Sequence, residues 1–310
     1  MLKPRFTTPR ASGAQTQLID SAARVPELRI GIINIMPRAR AYESYLLRPL
    51  DQAPALVEPV WIRLETHAYT SSEADHISEV YASFDQALSG GGLHGLILTG
   101  APVEELAFSD VHYWDELRQI LLYARKSLAG TLGLCWGGLA LAELLGLQKE
   151  LFGKKLFGVF QNRTLLPEHP LTRGFDDVFW CAHSRHSGNS GRELEAANAA
   201  GEIRLLAHGD ETGYTLFESA DGRFLSHLGH PEYEAERLVH EWRRDSALGR
   251  TDVDPPRNLH VDAPVNCWRS HRNELFTRWL SQLATPDARA HDEQPSVQLR
   301  MLRGSTPRRS

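Results

Sequence analysis

An α/β fold with a mostly parallel sheet flanked by helices is what this sequence predicts, on three observations. The apolar runs Leu28 to Ile35, Leu93 to Leu98 and Thr131 to Leu134 are continuous rather than alternating, as strands covered on both faces require. Helix-compatible stretches separate them, so strand and helix alternate along the chain. The third run passes straight into Cys135-Trp136-Gly137-Gly138, a strand-to-helix turn of the kind that presents a reactive side chain above such a sheet.

Taken in order, residues 1–27 are Thr-, Ser-, Arg- and Ala-rich without periodicity and read as an arm. A main domain is expected over 28–285. Its first strand stops at Met36-Pro37, and Tyr42 to Leu50 follows as helix. The second strand ends in Thr99-Gly100-Ala101-Pro102, which reads either as a plain turn or as the source of a second oxyanion N–H. Val111 to Leu128 has apolar residues at helical spacing, and Leu139 to Leu147 is a further helix. Ile203 to Ala207, Tyr214 to Glu218 and Phe224 to Leu228 read as strands. The charged, amphipathic segment Pro231 to Arg244 reads as a surface helix, and Glu274 to Leu283 as the last helix. Residues 286–310 carry few apolar side chains and predict a disordered tail.

Composition narrows the function classes. A chain of 310 residues with 42% hydrophobic side chains can bury a full core. The balance of 34 basic and 39 acidic residues gives a net charge of −5, which argues against a general nucleic-acid binder. No apolar run approaches the length of a membrane span, and Met1 to Ala14 lacks the apolar centre of an export signal. Three cysteines in so long a chain do not make a disulfide scaffold. A cytoplasmic enzyme with reduced thiols and small-molecule substrates is expected, without nucleic-acid or membrane partners.

The strongest chemical signal is Gly133-Leu134-Cys135-Trp136-Gly137, the thiol counterpart of the serine nucleophile elbow. Small residues permit the tight turn, the helix N-terminus favours the reactive thiolate, and the Trp136 backbone N–H faces a developing oxyanion. A thiol nucleophile needs a base and a group to orient it. Gly229-His230-Pro231-Glu232 follows a buried strand, which puts His230 at the carboxyl edge of the sheet with Glu232 beside it. Each feature also has a plainer reading, a packed Cys and a strand-end His, but together they favour a triad. Cys181-Ala182-His183-Ser184-Arg185-His186 lacks zinc-site spacing, so no metal is expected there. Arg185 reads either as a carboxylate binder or as part of a polar loop. Neither a phosphate loop nor a dinucleotide fingerprint occurs, which leaves coenzyme A possible as a substrate. On the residues alone, a glutamine hydrolase and an acyltransferase are tied; the elbow with a later His-Pro-Glu also resembles the glutaminase site of class I glutamine amidotransferases.

Longer strings break the tie. Asn34-Ile35-Met36-Pro37, Thr99 to Glu104, Asp110 to Trp114, Cys135-Trp136-Gly137, Arg173 to Asp177, His183 to His186, Gly229 to Tyr233 and Trp268 to His271 occur in order. The series resembles the homoserine O-succinyltransferase/O-acetyltransferase family of methionine biosynthesis, over about Leu28 to Leu283. The resemblance implies a class I glutamine amidotransferase-like fold and ping-pong acyl transfer from acyl-CoA to homoserine. In it Cys135 is acylated, His230 is the base and Glu232 orients it. It also implies substrate-binding roles for Lys155, Ser184 and Arg244, no permanently bound cofactor, and a homodimer. Glu104 stands where the family has glycine with succinyl-CoA and glutamate with acetyl-CoA, so acetyl-CoA is the expected donor, because a carboxylate there repels and displaces the succinyl carboxylate. The chain departs from the family pattern at Arg38-Ala39-Arg40, at Leu139 and at Ser187-Gly188-Asn189; the first two fall near the expected active-site edge, which keeps serine in view as a rival acceptor.

Overall fold

A computed structural model describes residues 27–285, so the tail and all of the arm before Glu27 lie outside the described residues. The chain enters at β1 (Leu28–Ile33), turns through α1 (Ala39–Gln52) to β2 (Val57–Ile62), and passes α2 (Ala74–Val80) and α3 (Phe84–Ser89) to reach β3 (Gly95–Leu98). α4 (Trp114–Ser127) leads to β4 (Gly130–Leu134) and α5 (Trp136–Leu144). A long hairpin, β5 (Lys149–Thr164) and β6 (Val178–Asn189), is followed by α6 (Gly191–Ala199), β7 (Ile203–Gly209), β8 (Gly213–Ser219) and β9 (Phe224–His227). α7 (Ala235–Ala247) and α8 (Arg269–Leu283) close the described chain.

These strands form one sheet in the order β2-β1-β3-β4-β9-β8-β7-β5-β6. The pairings from β2 to β9 are parallel, and those from β9 to β6 antiparallel. The predicted parallel sheet is thus the half that holds the continuous apolar runs of β1, β3 and β4, with β2 and β9 on either side of them. Its strands alternate between two apolar layers. Ile30 and Ile32 pack with Leu46 of α1 and Trp279 of α8, while Ile33, Leu96 and Leu98 pack with Leu117 and Leu121 of α4 and Leu139 of α5. No helix among the described residues is long and apolar enough to cross a membrane.

Placing β9 beside β4 positions the site. Leu134 lies opposite His227, so the turns leaving these two strands, which carry Cys135 and His230, emerge together at one edge.

The structure departs from the sequence reading in several places. β2, β5 and β6 are additional strands. α5 starts at Trp136 and α8 at Arg269, each earlier than expected, whereas α4 starts later, after a 3₁₀ turn at Phe108–Asp110. α7 also starts later, at Ala235. The His230 N–H is held by the Ala182 carbonyl at 2.7 Å and the Tyr233 N–H bonds back to the His230 carbonyl, so Pro231 to Glu234 make a turn ahead of the helix.

Candidate active site

Cys135 stands between β4 and α5 with φ 51° and ψ −114°, a conformation unusual for a residue with a Cβ. Glycines make the bend possible. A Cβ on Gly133 would strike the Gly137 carbonyl, and one on Gly137 would strike the Leu98 carbonyl. The Cys135 N–H bonds to the His227 carbonyl at 2.8 Å, fastening the elbow to β9. The thiol is buried, with Sγ 3.9 Å from the Ser184 carbonyl. The Trp136 N–H belongs to the first turn of α5, where helix amides lack intrahelical partners. Gly100, after β3, forms the facing wall: a Cβ there would lie 3.3 Å from His230 Cε1 and 3.6 Å from Cys135 Cβ.

His230 is buried, with Nδ1 2.7 Å from Glu232 Oε1. The fully buried Glu232 takes a second hydrogen bond on the same oxygen, from the Tyr42 phenol, while its Oε2 has no partner. The imidazole also stacks on the Tyr233 ring, with centroids 4.0 Å apart. Burial opposes a charge on His230, but the neighbouring Cys135 and Glu232 outweigh it, through charge and hydrogen bonds, and hold the imidazole well above its ordinary range. The same burial, reinforced by Glu232, raises the Tyr42 phenol, so it stays a proton donor.

A cleft of about 150 Å³ opens over these groups, and Lys155, Ser184, Arg244 and Glu104 all line it. Lys155 stands at the end of a bulge in β5 with its side chain buried; its Nζ lies 2.8 Å from Asp245 and 3.9 Å from Glu241. Ser184 Oγ donates to Glu241 Oε2 at 2.6 Å. Arg244 is half exposed at the rim, with Nε bonded to Asp245 at 2.7 Å.

Three of these partners were not read from the sequence. Arg237, Glu241 and Asp245 share one face of α7 with Arg244, so the charged face of this predicted surface helix turns into the cleft. Their four- and eight-residue spacing is a readable signal, but it does not show which way the face points. Glu241 is the hub of that face, accepting from Arg237 and the Tyr233 phenol at 2.9 Å each. Burial works against its charge, yet Arg237 and Lys155 bring it down to about 2.

β6 corrects two expectations. The segment Cys181 to His186 is strand, not polar loop, and its alternation sends Ser184 and His186 toward the cleft but Arg185 away. Arg185 is buried and spends its guanidinium on the Ser187 and Thr212 carbonyls, at 2.8 and 2.7 Å, so it is no carboxylate binder in the cleft. Among the described residues, one trio of metal-ligating types lies close together, Glu105, His186 and Asp252, and the Arg250 guanidinium bonds to all three.

Comparison with known proteins adds the following. A family model described as homoserine O-succinyltransferase matches residues 14–287. A homoserine O-acetyltransferase of Petrotoga mobilis is 39% identical over 260 residues, covering 82% of each chain. One of Bacteroides fragilis is 37% identical over 260 residues, covering 82% of this chain and 84% of its own. Among solved structures, a glutamine amidotransferase from Thermotoga maritima superposes with a TM-score of 0.51 at 12% identity, over 86% of this chain and 99% of its own. A glutamine amidotransferase from Methylobacillus flagellatus gives 0.51 at 15% identity, over 83% and 96%. At such identities these structures share the fold alone.

Proposed function

The chain belongs to the homoserine O-succinyltransferase family, and from that premise we propose that it transfers an acetyl group from acetyl-CoA to the hydroxyl of L-homoserine, through an acyl-enzyme on Cys135. One observation carries the reading: a strained, buried thiol lines one cleft with His230, itself paired with Glu232, and with Arg244 at the rim to receive an amino-acid carboxylate.

In the first half-reaction Cys135 Sγ gives its proton to His230 and attacks the thioester carbon. The Trp136 N–H receives the oxyanion, the bond to the coenzyme A sulfur breaks, and His230 returns the proton to that sulfur. In the second half, His230 takes the proton of the homoserine hydroxyl as its oxygen attacks the acyl-enzyme. The Cys135–acyl bond breaks and the thiol regains the proton. Glu232 holds the imidazole with Nδ1 protonated, leaving Nε2 for both transfers. Arg244 offers the planar fork suited to the homoserine carboxylate, and Lys155 and Ser184 line the acceptor side.

Donor choice falls to Glu104, whose carboxylate repels a succinyl carboxylate and fills its space. The names of the two relatives above agree with an acetyl donor. The test is a competition: purified protein, homoserine, and equal acetyl-CoA and succinyl-CoA, with products read by mass. O-acetylhomoserine is the expected major product. O-succinylhomoserine overturns the donor assignment, and transfer to serine in preference to homoserine overturns the acceptor. Ammonia release from glutamine without acyl transfer moves the same triad to amide hydrolysis.

A further inference from the structure

Glu104 does not stand free in the cleft wall. It sits on the loop after β3, with Oε1 3.1 Å from His186 Nδ1 and Oε2 buried without a partner. The other ring nitrogen, His186 Nε2, lies 3.0 Å from Asp252 Oδ2, on the loop after α7. The imidazole is therefore a strut between carboxylates on two loops, which also meet nearer the rim where Arg250 reaches Glu105. Local structure explains the placement. The β5–β6 register breaks between Leu151↔Ser187 and Leu156↔Arg185, so His186 has no residue opposite. Into that break the Lys155 N–H draws the Asp252 carbonyl, at 3.0 Å. His186 shares its strand face with Ser184, whose carbonyl lies 3.9 Å from the Cys135 thiol.

The charged groups facing the imidazole are Glu104 and Glu105 from one loop, and Asp252 and Arg250 from the other. Three carboxylates against one guanidinium favour an imidazolium, which donates from Nδ1 to Glu104 and from Nε2 to Asp252; the neutral ring with Nδ1–H instead accepts from Arg250 at Nε2. Burial alone would lower His186, but hydrogen bonding and charge from Glu104, with Asp252, raise it. In either protonation state Nδ1–H can still donate to Glu104.

We propose that His186 is the positioning residue for acyl-donor selection, holding the Glu104 carboxylate across the acyl-binding end of the cleft so that a donor with a charged acyl chain is refused. This rests on the acetyl-donor reading above. Without the strut, Glu104 can swing to the rim, where the Arg250 guanidinium already meets Glu105 and Asp252, and the space it guarded opens.

The readout is the ratio of kcat/KM for acetyl-CoA to that for succinyl-CoA, with homoserine as acceptor. His186→Leu, similar in bulk but without a donor, is expected to lower the ratio about tenfold or more. His186→Asn, whose amide can replace Nδ1–H, is expected to keep it. In a Glu104→Gly background, His186→Leu is expected to change nothing, an outcome that a merely structural role would not give. If His186→Leu does not fold, Asp252→Ala at the rim decides, with a fall in the same direction expected. A ratio unmoved in the folded variants overturns the proposal. If Glu104→Gly itself leaves the ratio unmoved, the donor reading has failed; if it moves the ratio and His186→Leu does not, only the strut has failed.

Discussion

Tyr42 donates its phenol to Oε1 of Glu232 across 190 positions of sequence, and that same oxygen holds His230 Nδ1 at 2.7 Å. Helix α1 is thereby tied to His230, the proposed base, through a carboxylate. Tyr42→Phe removes one of the two donors and makes the buried charge on Glu232 harder to maintain, so the hold on His230 slackens. The variant is expected to fold and to lose about tenfold in kcat, with little change in KM. Steady-state kinetics and a thermal melt check both parts.

Glu232→Gln tests the electrostatics directly. His230 is raised against burial by Cys135 and Glu232, so losing the carboxylate lowers it. A base that is easier to deprotonate is free at lower pH, and the acid limb of kcat/KM moves down accordingly. The activity that remains is expected to fall about 10²- to 10⁴-fold, because the imidazole is no longer held or balanced. A pH–rate profile of the variant beside the parent gives both numbers.

Three further histidines set a stability limit. His183, His227 and His271 are fully buried, and burial lowers each of them, His227 to about 4. In the unfolded chain each takes up a proton near its ordinary value of about 6.5, so the unfolded state binds more protons just below that pH. Their contribution is present above about 6.5 and is lost as pH falls, by roughly 2 kcal/mol at pH 5 for His227 alone. His186 and His230, raised in the fold, add stability as pH falls toward about 6.5 and contribute fully below it, so they do not offset the loss between there and pH 5. Melting between pH 7.5 and 5 is expected to show a steep fall in midpoint, shallower in a His227→Gln variant.

The elbow depends on missing side chains. A Cβ at Gly137 meets the carbonyls of Leu98 and Thr99, which β3 holds in place. Gly137→Ala is expected to cost about 3 kcal/mol or more, a drop of roughly 6–12 °C in midpoint. Activity should fall further than stability, because the relief pushes Cys135 out of line. An alanine variant with an unchanged midpoint would show that the bend is looser than described.

Legibility in the sequence followed burial chemistry. β1, β3 and β4 are continuous apolar runs and β9 opens on Phe224-Leu225, so apolar patterning finds them, and Cys135 and His230 follow as residues that leave two of these strands. β2 escapes notice because Pro59 and its half-buried side chains suit an edge strand rather than an apolar run. β5 begins with exposed Glu150 to Lys154, and β6 buries Arg185 and His186, so the apolar part of each is short, Phe157 and Val159 in β5 and Phe179 and Cys181 in β6. A strand whose buried residues are polar is invisible to hydrophobic patterning. The inward charged face of α7 and the strut at His186 need the tertiary fold, because their partners lie on loops far away in sequence.

If Cys135 carries the acyl group, the enzyme passes through a covalent thioester. Intact-protein mass after mixing with acetyl-CoA alone, homoserine withheld, tests it most directly. One added acetyl group is expected, mapped to Cys135, discharged when homoserine is added and absent in Cys135→Ala. Turnover of acetyl-CoA and homoserine by Cys135→Ala at the parent's rate would contradict it.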